Sequence, residues 1–163
     1  MKLIVKSIKD VDFKKFGSLY ELGNDSKQVC KTIKDGWSDG YTRASVIDTP
    51  TSLGMTRTGK TPFYFDELER HFHSQEAIFC IDEPIVFVVA PPSFDEHPDM
   101  DQAIAVKLDL GMVAVIDRMV WHSAAHGYNK ECYYYWLCQV VKNEPSEWKE
   151  LQVGKIEVIK EEI

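Results

Sequence analysis

The sequence predicts an all-β fold, a sandwich or barrel of many short strands, in one domain that spans residues 1–163. Apolar segments of strand length recur at intervals of about 8–12 residues, and clusters of glycine, proline and aspartate separate them. Apolar residues at helical spacing are few, so helices are predicted only as short turns. A chain of this length buries a sizeable core, and no repeat, low-complexity tract or linker divides it.

The first half of the chain contains the less regular elements. Glycine and threonine or serine residues punctuate its strand-like segments. The predicted elements are an edge strand over 2–6, a short helical turn within 12–20 that closes near Gly17, strand pieces over 29–48, a strand over 52–58 followed by a turn at 59–60, and one helical turn within 63–70.

The second half alternates more plainly between apolar runs and turn signals. A hairpin is predicted where Asp82-Glu83-Pro84 separates two apolar runs, and a proline-rich acidic loop follows it at 91–99. The predicted elements are strands over 77–81, 85–90, 103–108, 112–116, 119–122 and 133–141, a short helix opening at 145–148, and a tail over 155–163 that is either a final strand or a frayed end.

Charge and composition exclude several classes of function. The net charge of −7 and the absence of a basic stripe argue against binding to nucleic acid. The apolar run at the start is too short for a signal peptide, and no run approaches the roughly 18 apolar residues of a membrane helix. A cytoplasmic protein is therefore expected. Its four cysteines lack Cys-x-x-Cys spacing, so they are expected to be reduced thiols, with two disulfides as the alternative.

Two clusters of histidines are the most informative feature of the sequence. His71 and His73 form a His-x-His pair, which on a strand places both rings on one face, and Glu76 follows three residues later. His122 and His126 form the second cluster. Three histidines and one carboxylate (His71, His73, Glu76 and His122) suit a divalent first-row metal such as zinc, nickel, manganese or iron. On a regular strand Glu76 would face away from the pair, so a bulge or turn at residues 74–75 is required.

Each of these residues has a structural alternative. The His71 to Glu76 segment fits a surface loop, and Glu76 fits a metal ligand, a general base or a solvated turn residue. His122 fits a satisfied core histidine, and His126 fits a residue that orients a ligand. Trp121 and the aromatic run at 133–136 fit hairpin and core packing.

The motif pattern, His-x-His with a glutamate followed by a second histidine about fifty residues later, resembles that of the cupins. More closely, the chain resembles the ureidoglycolate lyases (ureidoglycolate hydrolases), cupins of purine and allantoin catabolism. The matching segments lie nearly end to end: Met1–Leu3, Phe16-Gly17, Met55–Arg57, Asp66–His71, Ile85–Ala90, His97–Met100 and Arg118–His122. This resemblance implies a cupin double-stranded β-helix, a jelly-roll-like barrel with a few short helices, and cleavage of ureidoglycolate or a related small 2-hydroxy acid to glyoxylate and urea.

The resemblance also implies roles for particular residues. Arg57 would bind the carboxylate of a small-molecule substrate through its guanidinium fork, with Trp121 and His126 beside the substrate. The alternative for Arg57 is a structural ion pair with an acidic side chain. His71, His122 and Glu76 would carry proton transfer or hold a metal. The chain differs from the lyases in having His73 and Glu76 in the first motif, and Asp117 where those enzymes tend to have histidine.

These differences leave two alternatives to the lyase hypothesis. His73 and Glu76 favour another metal-dependent cupin enzyme, an isomerase, epimerase or dioxygenase that acts on a small acid or sugar. Asp117 favours a cupin that binds a small ligand without turnover. Cupins commonly dimerise through edge strands, so a homodimer is expected.

Overall fold

The structure is a computed structural model that describes residues 1–94 and 96–161. The described residues form β-strands and three short 3₁₀ helices, at Ile8–Asp10, Phe13–Lys15 and Met100–Gln102. The strands are β1 (Lys2–Ser7), β2 (Gly17–Glu21), β3 (Val29–Lys34), β4 (Trp37–Thr42), β5 (Ser52–Thr58), β6 (Phe63–Phe65), β7 (Glu67–Arg70), β8 (Glu76–Cys80), β9 (Ile85–Ala90), β10 (Ile104–Leu108), β11 (Met112–Ile116), β12 (Trp121–His122), β13 (His126–Gly127), β14 (Cys132–Cys138), β15 (Glu147–Glu150) and β16 (Ile156–Ile159).

Eight of these strands form a jelly roll. One sheet contains the order β5-β14-β8-β11 and the other contains β7-β12-β9-β10, with antiparallel pairing throughout. The chain crosses between the sheets after β7, β8 and β10, and again after β11. This strand order is that of an eight-stranded double-stranded β-helix. The predicted all-β fold, a jelly-roll-like double-stranded β-helix with a few short helices, is confirmed.

Both sheets extend beyond the jelly roll. The first continues from β11 to β2, and the second runs in the order β15-β7-β12-β9-β10-β1-β16-β6. Strands β6 and β7 lie far apart in that order, yet only Asp66 separates them along the chain. The second sheet must therefore curl until β6 returns close to β7, which encloses a second apolar core on its outer face.

Strand β9 contributes to both cores, which explains why its sequence is an uninterrupted apolar run. Ile85, Phe87 and Val89 point into the jelly roll, whereas Val86 and Val88 point into the second core. All are fully buried. A strand with both faces buried has no polar face, so it lacks the alternation of a half-exposed strand.

Several predicted elements differ from those observed. The helical turn predicted within 63–70 is wrong, because these residues pair as β6 and β7 with β16 and β15. The helix predicted at 145–148 is wrong for the same reason, since β15 extends the sheet beside β7. Strand β1 is not an edge strand, because it lies between β10 and β16. In each segment, pairing with strands far along the chain determines the structure. The local sequence pattern does not show which strands will pair.

The remaining segments follow the predictions more closely. The helical turn near residue 13 ends before Gly17, where any Cβ would overlap the carbonyl group of Val115. The tail contains strand β16, and its last residues, 162–163, lie outside the described part of the chain, as does residue 95 of the acidic loop.

No helix among the described residues is long and apolar enough to cross a membrane. All four cysteines carry free thiols.

Candidate metal centre

A cavity of about 660 Å³ lies inside the jelly roll, between strands β7 and β12 of one sheet and β8 and β14 of the other. Glu69, His71, Glu76 and His122 line it together. Segment 139–146, which follows β14, lines another part of its wall. The volume falls within the range of about 300–1,000 Å³ that is usual for small-molecule sites.

Strand β7 and the residue that directly follows it supply two of these groups. Glu69 lies on the strand, His71 comes directly after its last residue, and both side chains line the cavity. Arg70, between them, points to the outer face, where its guanidinium lies 4.2 Å from the centroid of the Trp121 ring and bonds to Glu147 at 2.5 Å. The pair of site residues at the end of this strand is therefore Glu-x-His rather than His-x-His.

Neighbouring strands place the other two groups opposite this pair. His122 on β12 is directly paired with Glu69, so their side chains share one face of the sheet. After His71 the chain leaves the second sheet through an irregular segment, and Glu76 begins β8 in the first sheet. The turn that the sequence requires between His71 and Glu76 is thus a crossing between sheets, and it brings Glu76 across the interior to face the histidines.

The four side chains converge on a small volume. Glu76 Oε2 lies 2.7 Å from His71 Nε2 and 3.2 Å from His122 Nε2. Glu69 oxygens lie 3.8 Å from His71 Nε2 and 3.9 Å from His122 Nε2. One ligand atom from each residue lies within 4.8 Å of every other. All four side chains are largely shielded from solvent, and Glu76 and His122 are buried.

Backbone contacts fix the orientation of His122. Its Nδ1 lies 3.1 Å from the carbonyl oxygen of Val120, and a carbonyl only accepts, so Nδ1 carries the proton. In the neutral ring, Nε2 then presents a lone pair to the Glu76 carboxylate, which is also an electron-pair donor. Facing lone pairs are satisfied only by an added proton or a cation. A metal-binding histidine commonly donates its second ring proton to a carbonyl in this way.

Protonation of His71 supplies part of that positive charge in the metal-free protein. Burial lowers the pKa of His71, but hydrogen bonds to Cys138 and Glu76 outweigh it and raise the pKa to about 10. Burial likewise raises the pKa of Glu76, but hydrogen bonds to His122 and His71 outweigh it and lower the pKa to about 2. The site therefore holds an ionised carboxylate beside an imidazolium at neutral pH.

The donor set fits a divalent first-row metal. Two imidazoles and two carboxylates are the ligand types that zinc, manganese, iron and nickel accept. Ligand atoms about 2.1 Å from a tetrahedral ion are about 3.4 Å apart, and the four separations of 2.7–3.9 Å in this site lie on both sides of that value. His71, His122, Glu76 and Glu69 are therefore the residues that would hold such an ion.

His73, predicted as a metal ligand, lies outside this group. Its side chain is 54% exposed, and its Nε2 lies 2.6 Å from the Glu144 carboxylate at the cavity rim. Strand β7 ends at Arg70, so the two-residue alternation that would align His73 with His71 no longer holds. Glu69, inside the strand, takes the position expected for the second histidine.

The three residues predicted to bind substrate also lie outside the cavity wall. Arg57 is on the outer face of β5, largely exposed, and its guanidinium lies 2.9 Å from the Glu131 carboxylate. Trp121 is fully buried in the second core and donates to the Ser93 hydroxyl at 2.9 Å. It neighbours His122 on a strand, so the two side chains point in opposite directions. His126 stacks on Phe63, with ring centroids 3.9 Å apart, and burial lowers its pKa.

Some residues of the site were not predicted from the sequence. Glu69 lies two residues before His71, and the two-residue alternation of a strand is the sequence signal that could have identified it as a site residue. Tyr134 and Trp136 also line the cavity. They alternate along β14 on its inner face, but the sequence alone does not distinguish a cavity wall from packed core.

Comparison with known proteins gives little further guidance. No protein-family model matches the chain, and no curated protein matches it. Among solved structures, a similar chain is the crystal structure of dTDP-4-dehydrorhamnose 3,5-epimerase from Elizabethkingia anophelis NUHP1. The two share 10% sequence identity with a TM-score of 0.41, over 60% of this chain and 54% of the epimerase chain. This chain thus spans about half of that enzyme, and a likeness this distant bears on neither substrate nor reaction. The resemblance to ureidoglycolate lyases is not confirmed by these comparisons.

Proposed function

We propose that this protein is a metal-dependent cupin enzyme of the isomerase, epimerase or dioxygenase type that acts on a small acid or sugar. Glu69, His71, Glu76 and His122 hold a divalent ion at the cavity wall. The observation that carries the proposal is the convergence of these four donors, one ligand atom from each within 4.8 Å of the others, inside a cavity large enough for a small molecule.

The arrangement of donors supports a metal role over a purely structural one. Buried carboxylates and histidines are costly unless they are paired, and two carboxylates on one volume repel each other. Here Glu76 and Glu69 both approach the same two imidazoles, with Glu69 held in place by a hydrogen bond from the Ser146 hydroxyl. A divalent ion bound here supplies Lewis-acid activation of a substrate oxygen.

Tyr134 is the group beside this site best suited to donate a proton. It lines the same cavity, and burial together with the nearby Glu76 charge raises its pKa to about 12. The phenol stays protonated at neutral pH, so it donates a hydrogen bond or a proton to a bound oxygen atom rather than removing one.

Metal analysis is the first test of this proposal. The chelated protein is reloaded with zinc, manganese, iron or nickel and analysed by plasma mass spectrometry. About one ion per chain is expected, with loss of the ion in His122→Ala and retention in His73→Ala. Failure of every metal to bind, or equal retention in both variants, would overturn the proposal.

Two further readouts separate the reaction types. With a panel of 2-hydroxy acids, 2-keto acids and sugars, an isomerase or epimerase exchanges a carbon-bound proton with deuterated solvent, whereas a dioxygenase consumes oxygen. Both signals should vanish on chelation and return with metal. Activity that survives chelation would contradict the proposed role of the ion.

Ureidoglycolate cleavage is the second candidate, and the sequence resemblance is what supports it. The chain resembles those lyases through Asp66–His71 and Arg118–His122, which contain two of the four donors. The position of Arg57, outside the cavity, removes the cation proposed to hold the substrate carboxylate. Release of glyoxylate from ureidoglycolate by the metal-loaded protein tests this candidate directly.

A further inference from the structure

We infer that the substrate of this site carries an aromatic or other bulky apolar group next to the oxygen atoms that bind the metal. This inference rests on the proposed metal-dependent function and narrows its substrate class. Three observations carry it: the placement of aromatic side chains around the donors, the support that holds one of them in place, and the distribution of charge over the cavity wall.

Aromatic side chains stand beside the metal donors on both sheets. Trp148 on β15 is directly paired with Glu69, which is directly paired with His122. These three side chains therefore form a row on one face, with the indole next to the first carboxylate. Phe72 follows His71, and both Phe72 and Trp148 line the cavity.

Trp136 forms the facing wall on the opposite sheet. It is paired with Gly54 on β5 and Ile78 on β8, and both Trp136 and Ile78 line the cavity. A Cβ at Gly54 would overlap the indole ring, so the absence of a side chain there is what lets the ring lie against the backbone of β5. Its Nε1 donates to the Thr56 hydroxyl at 3.2 Å. This support gives the ring a fixed orientation.

The charges in the cavity do not match a small, highly polar acid. With the four donors bound to a divalent ion, two carboxylates balance its charge. Among the described residues that line the cavity, the other basic side chains are His73, whose Nε2 lies 2.6 Å from the Glu144 carboxylate, and Lys142, which is exposed at the rim. Aromatic and aliphatic side chains, among them Ile78, Trp136 and Trp148, form much of the rest of the wall. An apolar substituent is the group that this part of the wall would desolvate favourably.

A matched pair of metal-binding probes tests this inference. Acetohydroxamate and benzohydroxamate chelate a metal through the same two oxygens and differ in a methyl against a phenyl group. Their affinities for the Zn²⁺-loaded protein are measured by titration calorimetry. We expect benzohydroxamate to bind at least about tenfold more tightly, a difference of about 1.4 kcal/mol.

Variants of the wall then assign that preference to particular residues. Trp148→Ala and Phe72→Ala change side chains that are 46% and 42% exposed, so the fold should tolerate them. Each should reduce the preference for benzohydroxamate by about threefold or more and leave acetohydroxamate unchanged. Trp37→Ala is the control, because Trp37 is 55% exposed on β4 and does not line the cavity.

The outcomes separate this inference from the function on which it rests. Equal binding of the two probes would overturn the inference and leave the metal site standing. A preference that both wall variants retain would also overturn it, because the aromatic walls would not be its source. Failure of both probes to bind a Zn²⁺-loaded protein would overturn the proposed function and the inference with it.

Discussion

Replacing Glu76 with glutamine in the metal-free protein should remove the most strongly coupled charge pair of the site. Glu76 is buried. Its Oε2 accepts a hydrogen bond from His71 Nε2 at 2.7 Å and lies 3.2 Å from His122 Nε2. The substitution keeps the shape of the side chain but removes its charge. Loss of one partner from a buried ion pair generally costs about 3–5 kcal/mol, because the other charge is left uncompensated.

The pKa values give an independent magnitude for the same pair. Each pKa unit corresponds to about 1.4 kcal/mol. The pKa of Glu76 falls from 4.5 to about 2, which corresponds to about 3 kcal/mol. The pKa of His71 rises from 6.5 to about 10, which corresponds to about 5 kcal/mol. The two values are not added, because both include the contact between His71 and Glu76, and the Glu76 value also includes the hydrogen bond with His122, which lowers its pKa most. Since Cys138 contributes to the His71 value, the lower figure is the expected loss for Glu76→Gln.

The same pKa values set the direction of the pH dependence. The pKa of Glu76 is depressed, so its contribution to stability is present above pH 4.5 and is lost as the pH falls towards 2. The pKa of His71 is raised, so its contribution is present below pH 6.5 and is lost as the pH rises towards 10. The pair is therefore worth most between pH 4.5 and 6.5.

Urea unfolding of chelated protein at pH 3, 5.5 and 9 measures these effects. We expect Glu76→Gln to lower the free energy of unfolding by about 3 kcal/mol at pH 5.5 and by less at the other two values. Glu144→Gln is the matched control, because it removes a Glu–His pair whose side chains are more than half exposed, and such pairs contribute about 0–1 kcal/mol. Equal losses for the two variants at pH 5.5, or a loss for Glu76→Gln that does not vary with pH, would refute the reasoning.

Three other predictions follow from the geometry. Glu69→Gln should weaken metal binding by more than about tenfold, because a charged ligand becomes neutral, whereas His73→Ala should leave the affinity unchanged; competition with a chelating dye measures both. Gly54→Ala should force the Trp136 ring towards the cavity, cost about 1–3 kcal/mol in thermal unfolding and shift the tryptophan emission, and an unshifted spectrum would count against it. If the predicted homodimer forms through edge strand β5, Leu53→Lys, at a side chain that is 65% exposed there, should produce a monomer in light scattering.

The sequence predicted the fold class because local patterns carry that information. Short apolar segments and turn residues identify strands, and their number and spacing identify a sandwich or barrel. It did not predict β6, β7 or β15 correctly, since these short strands have mixed polarity and are held by partners far along the chain. Pairing with β7 is the interaction that makes 147–150 a strand, and no local pattern contains it.

The candidate site was predicted only in part, for reasons specific to its residues. His71, Glu76 and His122 were identified from residue type and spacing, and the structure places them together. Whether His73 or Glu69 accompanies them depends on where β7 ends. Element boundaries are the least certain part of any sequence-based prediction, and a shift of two residues exchanges one ligand for another. The face of β5 on which Arg57 lies is likewise not determined by its local sequence. A shift of one residue in the alternation would turn its side chain from the outer face to the inner one.

The position of the four donors also predicts what would hold the site together when no metal is bound. Glu69 and His122 are paired within one sheet, whereas Glu76 belongs to the other, so the donors meet only when the two sheets have packed. The proton on His71 then neutralises Glu76 and holds the sheets together at this point. A divalent ion must displace that proton, because a ligating imidazole is neutral, so metal affinity should rise with pH across the neutral range. The metal ion and the proton on His71 therefore compete to stabilise the same contact between the sheets. Stabilisation by metal should be smallest at acidic pH, where the ion pair of His71 and Glu76 is fully formed.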